Sequence, residues 1–151
     1  MIVVTGANGQ LGRLVIKKLL TSVDPGSIVA TMRDPSQGAD LQRAGVQVRQ
    51  ADYTQPASLD TALEGAEKVL LISSSEVGQR LIQHSNVVDA AVRARVGLLA
   101  YTSILHAPKS PLALAAEHRA TESYIRDTRI PAVLLRNGWY TENYLQGVPT
   151  A

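Results

Sequence analysis

Short apolar runs alternate along the chain with longer stretches in which apolar positions recur at helical spacing. Met1-Ile2-Val3-Val4 is a largely β-branched run stopped by glycine, and it predicts a strand. Leu11, Leu14, Val15, Lys18, Leu19 and Ser22 follow helical spacing, apolar at all but Lys18 and Ser22. Asp24-Pro25-Gly26 reads as a turn, and Ile28 to Met32 as a second strand stopped by Asp34-Pro35. A short amphipathic helix over Asp40 to Arg43 closes at Gly45, and Val46 to Gln50 alternates like a strand with one wetter face. Ser58 to Leu63 predicts a further short helix, ending at Gly65. Lys68 to Ile72 is a continuous apolar run and predicts a central, buried strand. Val77 to Arg95 reads as a long amphipathic helix. Val96 to Tyr101 predicts a strand ending at Thr102-Ser103, Leu112 to Asp127 a helix, and Pro131 to Leu135 a strand.

About six strands alternating with helices predict parallel β-α-β units with right-handed crossovers. The expected fold class is therefore α/β: a Rossmann-like, doubly wound parallel sheet with helices on both faces. No repeat, low-complexity linker or internal boundary divides the chain, so one domain over 1–151 is expected.

Composition narrows the chemistry. Fifteen Lys and Arg against thirteen Asp and Glu leave a net charge of +2, and the basic residues are scattered. That argues against nucleic acid or an anionic membrane as partner. The chain has no cysteine, which excludes disulfides and thiolate metal sites. His84, His106 and His118 show no metal-site spacing, so no metal is expected. Phenylalanine is absent and aromatics are 4%, so the core must rest on Val, Leu, Ile and Ala. No apolar stretch approaches the ~18 residues of a membrane span. Met1 leads into a strand-like run without a basic leader, and a cytoplasmic location is expected. A homodimer is left open.

The candidate chemistry begins at TGANGQLG, where Gly6, Gly9 and Gly12 lie between the first strand and the first helix. Glycine allows close backbone approach to a phosphate, and a helix N-terminus favours its charge. The spacing is wider than in the commoner G-x-G-x-x-G fingerprint, and three glycines also serve plain turns. The position at the start of a β-α-β series is what favours a nucleotide. At the tip of the second strand stands Arg33, 21 positions after Gly12, where a ribose reader is expected. A guanidinium there accommodates a 2′-phosphate and favours NADP(H) over NAD(H), with a solvated surface arginine as the alternative. Asp34 reads as a turn residue before Pro35.

Six stretches then fall in one order: TGANGQLG, the strand tip MRDP, QADY at 50–53, LLISSSEVGQR at 70–80, AYTSILHA at 100–107 and LLRNGWYTENY at 134–144. Together they resemble the NmrA-like branch of the atypical short-chain dehydrogenases, and within it the NAD(P)H:quinone oxidoreductases. The resemblance implies an NADPH-dependent quinone reductase acting on a small-molecule quinone. It implies that Gly6, Ala7, Asn8, Gly9, Gln10 and Leu11 wrap the pyrophosphate, and that Arg33 meets the 2′-phosphate. Asp52 and Tyr53 would lie beside the adenine, and Ser73, Ser74 and Ser75 beside the nicotinamide ribose. Asn137, Gly138, Trp139, Tyr140, Thr141 and Glu142 would close over the nicotinamide end and border the quinone.

Two departures from that family bear on catalysis. Where most short-chain dehydrogenases place Tyr-x-x-x-Lys, this chain reads Leu114-Ala115-Ala116-Glu117-His118. His118 is a candidate proton donor because a histidine switches charge near neutral pH; the alternative is an exposed helical histidine. Asn137 is the candidate donor to a developing quinone oxyanion. Ser73 to Ser75 lack the G-x-S-x-G elbow of a hydrolase. Tyr124 reads as packing, whereas Trp139 and Tyr140 are open between quinone stacking and packing. The second departure is length, since the family continues into a substrate lobe; the chain is expected to be truncated relative to it. A dinucleotide-binding redox sensor without turnover, or an inactive fragment of the reductase, therefore stands as the rival reading.

Overall fold

The computed structural model describes residues 1–145. Six parallel strands, β1 (Ile2–Val4), β2 (Ile28–Met32), β3 (Gln47–Gln50), β4 (Lys68–Leu71), β5 (Leu98–Ile104) and β6 (Ala132–Asn137), form one sheet in the order β3-β2-β1-β4-β5-β6. The order runs outward from β1 in one direction, then restarts beside β1 with β4. This reversal leaves a crevice at the carboxyl ends of the strands, between β1 and β4.

The period of two along the strands separates two apolar cores. Val3, Val29, Val69, Leu71, Leu99 and Tyr101 pack on one face, with Leu59 of helix α3 (Pro56–Ala62), Val87 and Val88 of α4 (Arg80–Arg93) and Ile125 of α5 (Ala113–Thr128). Val4, Ile28, Ala30 and Met32 pack on the other, with Ile16 of α1 (Gln10–Leu19) and Leu41 of α2 (Ala39–Arg43). A last helix, α6 (Thr141–Leu145), follows β6. The doubly wound sheet read from the sequence is the fold observed, and its core is built without phenylalanine.

Several boundaries differ from the expectation, three of them with a clear cause. Helix α4 starts at Arg80 rather than Val77, because Gly78 takes a left-handed φ of +88° and breaks the helical path. Strand β5 runs on through Thr102 and Ser103 to Ile104, and β6 to Asn137, because the two pair in register from Leu99↔Ala132 to Ile104↔Asn137. Cross-strand hydrogen bonds thus carry both strands past the end of the apolar run. The expected reading beyond Leu145 falls outside the described residues.

Candidate functional site

At the crevice the chain leaves β1 through Thr5 and turns at Gly6, whose φ of +59° is a backbone state that L side chains rarely adopt. Gly9 N–H closes the turn onto the Gly6 carbonyl, and Ala7 N–H ties it to the Thr31 carbonyl of β2, both at 3.0 Å. A Cβ on Gly12 would stand 2.6 Å from the Gly6 carbonyl oxygen and 2.7 Å from Ala7 Cα, so only glycine lets α1 lie this close to the turn. Ala7 is fully buried, and both its N–H, bonded to β2, and that of Gly9, bonded within the turn, are already engaged. Gln10, Leu11 and Gly12 carry first-turn N–H groups that no intrahelical carbonyl reaches, the ready donors for an anion.

Side chains brace this turn. Arg13 Nη1 donates to both carboxylate oxygens of Asp40, at 2.7 and 2.6 Å, and Nη2 donates to Asn8 Oδ1 at 2.8 Å and the Gln37 carbonyl at 2.5 Å. Asn8 Nδ2 donates in turn to Gln37 Oε1. The Arg13 guanidinium holds the Asp40 carboxyl below the usual range.

From the turn a groove of about 770 Å³ runs over the carboxyl ends of β1 to β4. It brings together Gly6, Asn8, Gly9, Arg33, Asp52, Tyr53 and Ser73 to Ser75 of the expected residues. Arg33 is largely exposed, with Nη1 3.8 Å from Glu76 Oε1. Asp34 Oδ1 accepts Ser36 N–H at 3.0 Å and Ser36 Oγ–H at 2.7 Å, so it is the turn residue expected, and these bonds hold its carboxyl low. Asp52 Oδ1 likewise accepts Thr54 N–H and Oγ1–H, both at 2.8 Å, and the Thr54 N–H is the main reason its carboxyl is lowered. Tyr53 donates its hydroxyl to the Ile72 carbonyl at 2.9 Å and touches Thr5 Oγ1, which ties the end of β3 to β1 and β4. Burial pushes that phenol's pKa up.

Beneath the groove, α4, β5 and α5 enclose a polar cluster. Ser74 N–H donates to His84 Nε2 at 2.9 Å, His84 Nδ1 stands 3.0 Å from Thr121 Oγ1, and Tyr101 Oη lies 2.7 Å from His118 Nδ1. Burial lowers His84 to about 3 and His118 to about 4, with the neighbouring Arg80 guanidinium adding to both. His118 is therefore neither an exposed helical histidine nor a group that switches charge near pH 7. It is 5% exposed and does not line the groove. The reason is tertiary: α5 turns this side of its helix onto Tyr101.

The segment after β6 also stands apart from the groove. Asn137 Nδ2 donates to Tyr140 Oη at 3.0 Å, and Trp139 is 52% exposed. None of Asn137, Gly138, Trp139, Tyr140, Thr141 and Glu142 lines the groove, nor do Gln10 and Leu11. Tyr124, read as packing, donates to Asp89 Oδ1 at 2.8 Å, which raises its pKa.

A helix end with free first-turn N–H groups, a turn that only glycine at position 12 lets α1 approach, and a guanidinium at the tip of β2 fit a dinucleotide carrying an extra phosphate. A family model described as NAD(P)H-binding matches residues 6–150. The chain belongs to that family. Quinone oxidoreductase 2 of Escherichia coli K12 is 55% identical over 151 residues, covering 100% of this chain and 53% of the relative. The crystal structure of an E. coli NADPH-dependent quinone oxidoreductase complexed with NADPH superposes with a TM-score of 0.92 at 56% identity, over 96% of this chain and 51% of that one. The triphenylmethane reductase of Citrobacter sp. complexed with NADP(H) does so with a TM-score of 0.92 at 44% identity, over 95% and 50%. The chain spans about half the length of the relatives it matches.

Thr5, Arg13, Glu76, Arg80 and Gln83 also shape the site without a role expected from the sequence, and so does His84, weighed there only as a metal ligand. Gln83 and His84 had a signal: with Val87 and Val88 they fall at helical spacing on the buried stripe of α4.

Proposed function

We propose that this chain is the nucleotide-binding part of an NADPH-dependent quinone reductase. The observation that carries this reading is the groove itself, with a phosphate-binding turn at one end and Arg33 at the tip of β2. The likeness to the E. coli reductase supports the choice of quinone as acceptor. When bound, NADPH supplies the hydride.

The chain's residues bind and orient. The first-turn N–H groups of α1 hold the pyrophosphate, and Arg33 pairs with the 2′-phosphate in preference to a bare ribose hydroxyl. Asp52 and Tyr53 bound the adenine side, and Ser73 to Ser75 the nicotinamide-ribose side. Asn137 donates from its amide to the developing oxyanion of the quinone, and the segment to Glu142 borders that acceptor. With its pKa lowered by burial, His118 is not the proton donor in this reading, and the reduced quinone takes its proton from water. A cytoplasmic location belongs to this reading. Homodimerisation is its open point, and sedimentation analysis decides it.

The test is NADPH oxidation with a simple benzoquinone, alongside titrations with NADPH and NADH. Turnover with tighter NADPH binding is expected; equal affinity for the two would remove the role of Arg33. Asn137→Ala should lower quinone turnover while NADPH affinity is kept. One observation favours a second reading: His118, at the expected proton-donor position, is buried and its pKa is lowered to about 4. Binding of NADPH without turnover would fit a redox sensor, or an inactive portion of a reductase.

A further inference from the structure

Helix α4 turns two polar side chains inward, Gln83 and His84, of which His84 is fully buried. The imidazole meets Tyr101 edge-on, with ring centroids 5.3 Å apart. An amide N–H only donates, so the 2.9 Å contact from Ser74 makes His84 Nε2 an acceptor and puts the ring proton on Nδ1. Nδ1–H then donates to Thr121 Oγ1, whose own hydroxyl donates to the Glu117 carbonyl at 2.9 Å. On the other side of the same residue, Arg80 Nε donates to the Ser74 carbonyl at 2.7 Å. Arg80 and His84 are four positions apart on one face of α4. They therefore grip both backbone groups of Ser74.

We propose that His84 is a positioning residue of the nucleotide groove, fixing the Ser73–Ser75 wall by accepting the Ser74 N–H while Arg80 holds the Ser74 carbonyl. The proposal rests on reading the groove as the NADPH site. The segment from Ile72 to Gln79 has no regular structure, and Gly78 lies inside it at positive φ. Side chains set its path instead: Ser73 N–H donates to Thr102 Oγ1 at 2.8 Å, and Glu76 N–H to Ser74 Oγ at 3.1 Å. Among the side chains that hold this segment, His84 is itself fully buried. Burial keeps the imidazole neutral, so its acceptor nitrogen is available throughout the neutral range. A protonated ring would present N–H to N–H at Ser74.

Two substitutions separate this role from plain packing. His84→Phe fills the volume without an acceptor, whereas Gln in His84→Gln carries an oxygen near the place of Nε2. NADPH affinity and hydrogen exchange of the Ser74 amide are measured for both. For H84F we expect NADPH binding weakened about tenfold and Ser74 protection lost; H84Q should keep protection and bind within about threefold of the unaltered chain. Equal NADPH binding by H84F and the unaltered chain overturns the proposal, as does an H84Q as impaired as H84F in both readouts. If H84F does not fold, Arg80→Met carries the test: binding weakened about fivefold supports the grip on Ser74, and unchanged binding overturns it. Failure of the unaltered chain to bind NADPH overturns the parent reading and this one together.

Discussion

Strands β2 and β6 are both apolar runs, IVATM and AVLLRN, yet they lie at opposite depths. Every residue of β2 is buried, whereas Val133 and Leu135 of β6 are 45% and 38% exposed. Neighbours make the difference. Strand β2 is paired on both sides, by β1 and β3, with α1 and α2 packed near it. Strand β6 pairs with β5 alone among the described residues. Apolar content thus selects a strand, while its place in the sheet order decides how much that strand contributes to stability.

The comparison can be broken at four places. The largest effect is expected for Ile28→Ala in β2, which removes a fully buried side chain and should cost about 3 kcal/mol in urea unfolding. A loss below about 1 kcal/mol would show that β2 is not the deeper strand. Next is Glu122→Gln, because β6 is anchored through polar atoms. Arg136 of β6 donates to the buried Glu122 at 3.0 Å and 2.7 Å, and Ser103 Oγ–H donates to it at 2.7 Å. With the arginine partly exposed, about 2 kcal/mol is expected. Arg136 holds the Glu122 carboxyl below its ordinary value. Its contribution is therefore complete above the unfolded pKa near 4.5 and fades as pH falls through the lower folded value. Glu122→Gln should flatten the acid limb in that window.

The two buried histidines act at higher pH. Both are lowered on folding from 6.5, to about 3 and about 4, so the unfolded chain binds protons first as pH drops. Stability should decline from about pH 6.5 to about pH 4, by up to about 1.4 kcal/mol per pH unit for each histidine. Unfolding of His84→Gln across that range should show about half the slope; an unchanged slope would place His84 in water. The smallest effect is expected for Leu135→Ala on the open face of β6, within about 0.5 kcal/mol. A loss near that of Ile28→Ala would mean that β6 is covered in solution.

The strand–helix alternation, the glycine turn and the place of Arg33 at the tip of β2 were legible because each is written in neighbouring residues. Gly6, Gly9 and Gly12 act within one turn, and Asp34 caps the residues just after it. What was not legible depends on partners far along the chain. Tyr53 reaches Thr5 from 48 positions away, and the fate of His118 was set by Tyr101 on another element. His118 stood open between a proton donor and an exposed residue beside Glu117, since one helical stretch does not say which side a neighbouring strand will cover. The length of α4 was overread for a related reason. Apolar Val77 continues the helical pattern, but Gly78 breaks the path.

Arg13 carries one more consequence. By holding Asn8 on one side and Gln37 with Asp40 on the other, it joins the glycine turn to the stretch after β2 as a single mechanical piece. An anion that stiffens the turn should therefore slow amide exchange around 34–40 as well as at 6–12. The footprint of ligand binding would then be two patches, separated by the rest of α1 and by β2.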